Sequence, residues 1–374
     1  MKSKKNKAFA FVMIIIWGAL ALWNLFTPTR VSSEAENRDL QQFPAYTHRK
    51  LLDGGFMNSM NDYLNDQFAA RDIWVTAKSL MEYGLGKREI NGVYVGRDAM
   101  YGHLMPEISD FAEKNIDGIN SFADRYGVPT AFMLVPSSAS VQPEGLPAFA
   151  DSWDEEPFIG GVYSQLNSNV TPVDIFSVLR SHRDEYIYYR TDHHWTSYGA
   201  WLGYQSLAVA MDIVPRSQAE CNVSTLSKSF YGTYQSKTGL YFAEADTLQL
   251  YEYGRATAYV ATDGPFEVER DSPYFEEFLT KKDKYSYILG QVKPIVNITT
   301  DSDSGKRLIV FKDSYSHALI PMLFEDYSEI CLVDLRFYSS NDYDADFGFA
   351  DYDQALFLYS TDTFGHQSDL ATLR

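Results

Sequence analysis

Cysteine is nearly absent. Cys221 and Cys331 are the only two, too few for a disulfide scaffold; they can pair in an oxidising compartment or stand as two buried thiols. Positive charge is scarce as well. Lys and Arg number 32 against 50 Asp and Glu, a net charge of −18, or −22 once the four lysines of the first seven residues are set aside. That balance argues against nucleic acid as a partner, because binding it requires cationic neutralisation of phosphates, and it also repels anionic lipid heads. No internal repeat or low-complexity tract is visible, so nothing suggests a solenoid or a biased, disordered segment.

What is present begins at the N-terminus. Lys2, Lys4, Lys5 and Lys7 precede an uncharged run from Ala8 to Phe26. About 19 residues at about 1.5 Å each span about 28 Å, close to the hydrocarbon thickness of a bilayer and longer than the core of a signal peptide. No small-x-small cleavage pattern precedes Thr27-Pro28-Thr29-Arg30, and Trp17 and Trp23 suit an uncleaved helix. With lysines before the helix and only Arg30 close behind it, the N-terminus is expected in the cytoplasm. The expected layout is a cytoplasmic tail (1–7), a membrane anchor (8–26), a linker (27–55) and an extracytoplasmic domain (56–374). The helix, not the acidic domain face, then supplies the attachment.

Along the domain the apolar pattern alternates between two periods. Phe56, Met60, Tyr63, Leu64 and Phe68, continued by Trp74 and Leu80, mark helical spacing over 56–85, and Ile116, Ile119, Ala123 and Tyr126 mark another helix that stops at Gly127. Thr130–Val135, Val173–Phe176, Ile187–Tyr189, Leu308–Phe311, Ile330–Leu335 and Ala355–Tyr359 read as strands, with helices over Tyr198–Ala210 and His317–Phe324. Short continuous apolar strands alternating with helices imply an α/β fold, an open and mostly parallel sheet covered on both faces. Between 221 and 300 a tyrosine-rich alternation with Asp-Gly turns reads as an irregular β insertion. Aromatic residues make up 15% of the chain, with 27 Tyr; that invites a carbohydrate-binding reading, although core and strand positions account for most of them.

Two segments carry chemistry. Tyr189-Arg190-Thr191-Asp192-His193-His194-Trp195-Thr196 lies between a strand and a helix whose N-cap is Thr196 or Ser197. In extended backbone Asp192 and His194 share a side while His193 points away, and a carboxylate beside an imidazole is the pair that activates a hydroxyl. Leu308-Ile309-Val310-Phe311-Lys312-Asp313-Ser314-Tyr315-Ser316 is an apolar strand breaking at a polar turn into a helix. A serine there faces the crevice at the carboxyl end of a buried strand, where backbone N–H groups can hold an oxyanion. Each signal has a plainer reading: Asp-Ser turns are often caps, and Asp-x-His can be a structural hydrogen bond. Asp192, His193 and His194 also offer ligands for Zn or Mn, although adjacent histidines of an extended chain rarely point at one ion.

The Thr191-Asp192-His193-His194-Trp195 run resembles the signature of the DHHW family, bacterial cell-surface proteins similar to the periplasmic alginate O-acetylation proteins with SGNH-hydrolase-like domains. The resemblance extends through Glu36-Asn37-Arg38-Asp39-Leu40, Asp66-Gln67-Phe68 with Arg71-Asp72, Gly92-Val93-Tyr94-Val95-Gly96, Lys312-Asp313-Ser314-Tyr315 and Val333-Asp334-Leu335-Arg336. It implies an SGNH-hydrolase-like, doubly wound sheet, with Asp192 and His194 as the acid–base pair and Ser314 as nucleophile, the serine following the histidine in a permuted order. Two departures stand out. Lys312 replaces the glycine usual before Asp-Ser, and no Gly-x-Asn-Asp element supplies a second oxyanion donor, which leaves Gly290-Gln291 or a tyrosine as candidates.

The expected function is that of a membrane-anchored extracytoplasmic serine acyltransferase or esterase acting on O-acyl groups, acetyl foremost, of a cell-surface polysaccharide. No metal or organic cofactor is required. Because acetyl-CoA is cytoplasmic, a transferase outside needs a delivered donor, and the resemblance implies a membrane-bound O-acyltransferase partner. The alternative from another class is a catalytically inactive polysaccharide-binding or assembly protein of the cell envelope.

Overall fold

The computed structural model describes residues 2–106 and 110–374; in the first helix the side chains are described from Asn6, so those of Lys2, Lys4 and Lys5 lie outside the described residues. The chain divides into two compact units, one formed by the residues through Ile90 with Ser236–Leu240, the other by Asn91–Gln235 with Tyr241–Arg374.

The first unit opens on a helix (α1, Lys2–Phe26) whose stretch Asn6–Phe26 is long and apolar enough to cross a membrane. The single helical stripe expected over 56–85 is two helices, α2 (Gly55–Asp66) and α3 (Arg71–Gly84). They are separated at Ala70, which sits in left-handed backbone with φ 55°. Ion pairs hold that corner. Arg38 chelates Asp66 at 2.9 and 2.5 Å, Arg71 pairs with Glu36, and Arg30 chelates Asp72 at 2.7 and 3.2 Å. Hydrogen bonds from Arg38, with Gln41 N–H adding to them, keep the Asp66 carboxyl below its usual range despite partial burial. The Glu36-Asn37-Arg38, Asp66-Gln67 and Arg71-Asp72 landmarks are therefore one polar cluster that builds this unit, and it draws Arg30 to Gln41 of the stretch read as a linker into the fold.

The second unit is a mixed α/β fold around an eight-stranded sheet. In chain order its strands are β1 (Thr130–Val135), β2 (Val170–Pro172), β3 (Ala256–Asp263), β4 (Phe266–Arg270), β5 (Ile295–Thr300), β6 (Arg307–Lys312), β7 (Glu329–Val333) and β8 (Gln354–Ser360). They lie side by side as β4-β3-β5-β7-β6-β8-β1-β2. The run from β7 to β2 is parallel, with Leu308 opposite Ile330 and Gln354, and Leu358 opposite Met133. Every residue of β1 is buried, as expected for a parallel strand covered on both faces. A helix (α4, Phe111–Tyr126) ending at left-handed Gly127 places Ile116, Ile119 and Phe122 in that core.

Three expectations change. The strand expected over Val173–Phe176 lies earlier, at β2, because Asp174 Oδ1 accepts from Phe176 N–H at 2.9 Å and turns the chain into a helix over Phe176–Ser181. Ile187–Tyr189 makes only an isolated bridge between Tyr188 and Trp195. His317–Phe324 is two 3-10 turns, Ser314–Ala318 and Ile320–Leu323, since Pro321 has no N–H to continue a helical ladder. Between 221 and 300, Asn222–Phe230 pairs antiparallel with Asp246–Glu252, and β3, β4 and β5 extend the large sheet as antiparallel strands. The strands are paired but keep the expected irregularity, with register shifts between Thr225 and Phe230 and between Ala256 and Ala258, and 3-10 turns over Glu276–Thr280 and Tyr285–Tyr287.

Candidate active site

The parallel strand β6 ends at Lys312, and the chain turns at Asp313 and Ser314 beyond its carboxyl end. Asp313 caps the turn: Oδ1 accepts from Tyr315 N–H at 2.9 Å, and Oδ2 accepts from the N–H and hydroxyl of Ser360, at the end of neighbouring β8, at 2.8 and 2.7 Å. Ser314 is half-buried at the start of a 3-10 turn.

The Asp192 segment reaches this turn by folding back on itself. Tyr189 N–H donates to His194 O at 3.2 Å and Thr196 N–H to Ile187 O at 2.9 Å. Thr196 then caps the next helix (α5, Ser197–Ala210) by accepting from Gly199 N–H. Trp195, fully buried, joins the two segments by donating from Nε1 to Tyr315 O at 2.9 Å, and Tyr315 donates its hydroxyl to His193 O. The Gly92–Gly96 landmark contributes a short strand, Val93–Val95, paired with Met100–Gly102, and Met100 N–H donates to Arg190 O.

Asp192, His194 and Ser314 are brought together. His194 Nδ1 lies 2.6 Å from Asp192 Oδ1, and His194 Nε2 lies 2.8 Å from Ser314 Oγ. With the carboxylate beside Nδ1, that nitrogen carries the proton and Nε2 accepts from the serine hydroxyl. Asp192 also accepts from His194 N–H at 3.0 Å and, on Oδ2, from Thr233 N–H at 2.7 Å. Burial opposes the Asp192 charge, yet the two imidazoles beside it hold the carboxyl well below the usual range. Burial, reinforced by neighbouring His193, outweighs Asp192 at His194 and pushes its imidazole down to about 4.

The expectation that His193 points away from Asp192 does not hold. The chain bends through these residues because Asp192 accepts from the N–H two residues on. His193 therefore stacks on His194, with ring centroids 3.8 Å apart, and its Nδ1 lies 3.4 Å from Asp192 Oδ1. Donor atoms of Asp192, His193 and His194 fall within 4.8 Å of one another, near enough to share an ion. Both ring nitrogens of His194 are already engaged, so a cation bound through Nε2 would have to displace Ser314.

Several residues of the site escaped the sequence reading. Tyr285 stacks on His194 with centroids 4.0 Å apart and planes at 13°, lies parallel to His317 with centroids 5.9 Å apart, and donates its hydroxyl to Ser314 O at 3.1 Å. Engaged in that way, it is a support for the imidazole. Gly232 packs so tightly on Asp192 that a Cβ would come within 2.2 Å of Oδ2. Asp246 accepts from Arg190 N–H, Thr191 N–H, and the hydroxyls of Thr191 and Tyr186. The Lys312 departure is absorbed below the turn. Its buried Nζ lies 3.8 Å from Asp334 and 3.3 Å from His317 Nε2, and Arg336 chelates the same Asp334 at 2.8 and 2.7 Å.

Comparison with known proteins follows the same lines. A family model described as DHHW protein matches residues 146–333, half of the chain. A crystal structure of a DHHW family protein from Eubacterium siraeum superposes with a TM-score of 0.64 at 25% identity, covering 76% of this chain and 95% of that one. Bacillus cereus PatB1 superposes with a TM-score of 0.63 at 18% identity, covering 75% and 99%. The O-acetyltransferase domain of Pseudomonas putida AlgJ is a looser likeness, with a TM-score of 0.46 at 16% identity over 75% and 95%. Among curated proteins no significant sequence match is found.

Proposed function

We propose that this chain, which belongs to the DHHW family, is an SGNH-like serine acyltransferase or esterase, anchored in the cell membrane by α1 with its N-terminus inside. Its substrate would be O-acyl groups, acetyl foremost, on a cell-surface polysaccharide outside the cytoplasm. The observation that carries the reading is the unbroken line Asp192 Oδ1, His194 Nδ1, His194 Nε2, Ser314 Oγ at the carboxyl end of a parallel strand. A structural hydrogen bond alone requires neither a half-buried serine at its end nor a buried carboxylate behind the ring.

In the proposed reaction His194 Nε2 takes the Ser314 proton as Oγ attacks the acyl carbonyl. The oxyanion forms beside the Ser314 N–H, and His194 returns the proton to the departing alcohol. A sugar hydroxyl or water then gives its proton to His194 as it attacks the acyl-serine, releasing Ser314 Oγ with that proton. Asp192 keeps the proton on Nδ1 and stabilises the transient imidazolium.

Full-length protein in detergent, exposed briefly to an activated acetyl ester, should carry acetyl on Ser314 by peptide mass spectrometry, and Ser314→Ala should carry none. Such an ester needs little help in leaving, so even a transferase without its natural donor should acylate. Folded wild-type protein that gains no acetyl would remove the enzyme reading and favour a binding or assembly role.

The pH dependence follows from His194. Its imidazole accepts a proton only while neutral, and burial sets its transition at about 4. Acylation should therefore persist through pH 5 to 6 and be lost as pH falls through about 4, whereas an unperturbed imidazole would place the limb near 6.5. An acid limb at 6 or above would mean that the base does not work from this buried position.

A further inference from the structure

The first unit carries an apolar surface unlike that of the second. Along α3 and just past its end, Ile73, Trp74, Leu80, Met81 and Leu85 fall on one helical stripe, and each is between 47% and 81% exposed. Ser79 is the buried residue of that helix, and in α2, where Met57 and Leu64 are exposed, it is Asp66. Among the described residues, the 55 from Val31 to Leu85 hold 13 exposed large hydrophobic side chains, whereas residues 91–374 hold 10. A stripe of this length left in water is a binding face.

Position, charge and composition select its occupant. The corner between α2 and α3 is bonded to the end of α1: Ala69 N–H donates to Asn24 Oδ1 at 2.7 Å, and Gln67 exchanges hydrogen bonds with the Arg30 backbone at 2.8 Å each. Asn24 lies two residues before the apolar run ends at Phe26, so the start of α3 is pinned where hydrocarbon would give way to headgroups. Charge is distributed to match. Residues 27–90 hold eight Lys and Arg against nine Asp and Glu, whereas residues 91–374 hold 20 against 41. The near-neutral part is the part tied to α1, and the part that would be repelled by anionic lipid is the other. Trp74 on the stripe, with Lys78, Lys87 and Arg88 in the same stretch, is the composition of a helix lying in a membrane interface.

We propose that α3, with α2 beside it, lies in the headgroup layer of the bilayer with the stripe Ile73, Trp74, Leu80, Met81 and Leu85 turned into the acyl chains, a second attachment that holds this unit in a fixed attitude on the membrane. The proposal rests on the reading of α1 as a membrane span.

The test uses full-length protein in phosphatidylcholine vesicles doped with a phospholipid bearing a photoactivatable group high on its acyl chain, with adducts mapped by peptide mass spectrometry. Adducts are expected both within 8–26 and within 71–87. In the double variant Ile73→Glu, Met81→Glu, whose changes lie on exposed positions, adducts within 71–87 should fall by about tenfold or more while those within 8–26 stay constant. Adducts in α1 without adducts in α3 would overturn this proposal and leave the span intact. No adducts in either would overturn the span itself. Cross-linking of the stripe to a second protein in native membranes, in place of lipid, would show that a protein partner is the occupant and would equally overturn it.

Discussion

Replacing His194 with alanine should lower acylation of Ser314 by about four to six orders of magnitude, as loss of the base of a serine–histidine pair does elsewhere. The reason lies in the local geometry. Nε2 is the acceptor placed 2.8 Å from Ser314 Oγ, and an unassisted serine hydroxyl is a poor nucleophile near neutrality. The variant should fold, because the imidazole is held by stacking on Tyr285 and by Asp192, contacts that support the ring more than the chain. Replacing His193 provides the contrast. That ring lies beside the line of proton transfer and not in it: its Nδ1 is 3.4 Å from Asp192 Oδ1, and it stacks on His194 and lowers its proton affinity. His193→Ala should therefore keep acylation within about tenfold of wild type and move the acid limb of the pH profile upward, since one of the causes depressing His194 is removed. Burst amplitudes and rates with an activated ester, measured on both variants with their folds checked by circular dichroism, separate the two roles. Equal losses in two well-folded variants would show that the histidines act as a pair, for instance on an ion, and would sink the assignment of His194 as sole base.

What could be read from the sequence was local. The parallel strands were legible because strands covered on both faces are short continuous apolar runs, as in Leu308–Phe311 and Ala355–Tyr359, which lie inside β6 and β8. Asp192, His194 and Ser314 were legible for a similar reason: the first two are neighbours in sequence, and the third sits where an apolar strand breaks into a polar turn. His193 was misplaced because period-2 reasoning assumes extended chain, whereas the Asp192 side chain bends its own backbone. His317–Phe324 kept an apolar pattern that suits a helix, but Pro321 and the packing of fully buried Leu319, Ile320, Met322 and Leu323 produce short turns. The residues that brace the site had no local signal at all. Tyr285 is one of 27 tyrosines, and nothing in its neighbourhood tells that its ring will meet an imidazole. Gly232 and Thr233 reach Asp192 only after the chain has passed through α5 and the strand Asn222–Phe230. Long-range placement of this kind depends on the pairing of strands distant in sequence, which periodicity does not encode.

Asp246 is the clearest such case, and its removal should have the largest effect on stability. It lies 55 residues along the chain from Thr191 and arrives beside it at the start of the strand Asp246–Glu252. Its carboxylate, fully buried, gathers the Tyr186 hydroxyl at 2.6 Å, Arg190 N–H at 2.8 Å, Thr191 N–H at 2.9 Å and the Thr191 hydroxyl at 2.5 Å. Two of these donors are backbone groups immediately before Asp192, and an unpaired buried donor costs about 1–3 kcal/mol. Asp246→Ala is therefore expected to destabilise the protein by about 3–5 kcal/mol, the loss typical of breaking one partner out of a buried charged network. Asp246→Asn should fall between wild type and alanine. Burial disfavours the Asp246 charge and raises its pKa, so a neutral amide relieves that cost, and the one hydroxyl that meets the NH2, Tyr186 or Thr191, can turn to accept from it. Only one oxygen remains for the two backbone N–H groups, however, so one hydrogen bond is lost. The catalytic consequence separates bracing of the site from general stability. At a temperature where all three proteins are folded, acylation of Ser314 should still fall in the order wild type, asparagine, alanine, because the bend that presents Asp192 and His194 has lost its hold on Arg190 and Thr191. Urea midpoints would give the stability order, and single-turnover acetylation the catalytic one. An alanine variant that loses stability yet acylates at the wild-type rate while folded would show that Trp195 and Tyr315 alone set the geometry of the Asp192 loop, and that Asp246 contributes only to the fold.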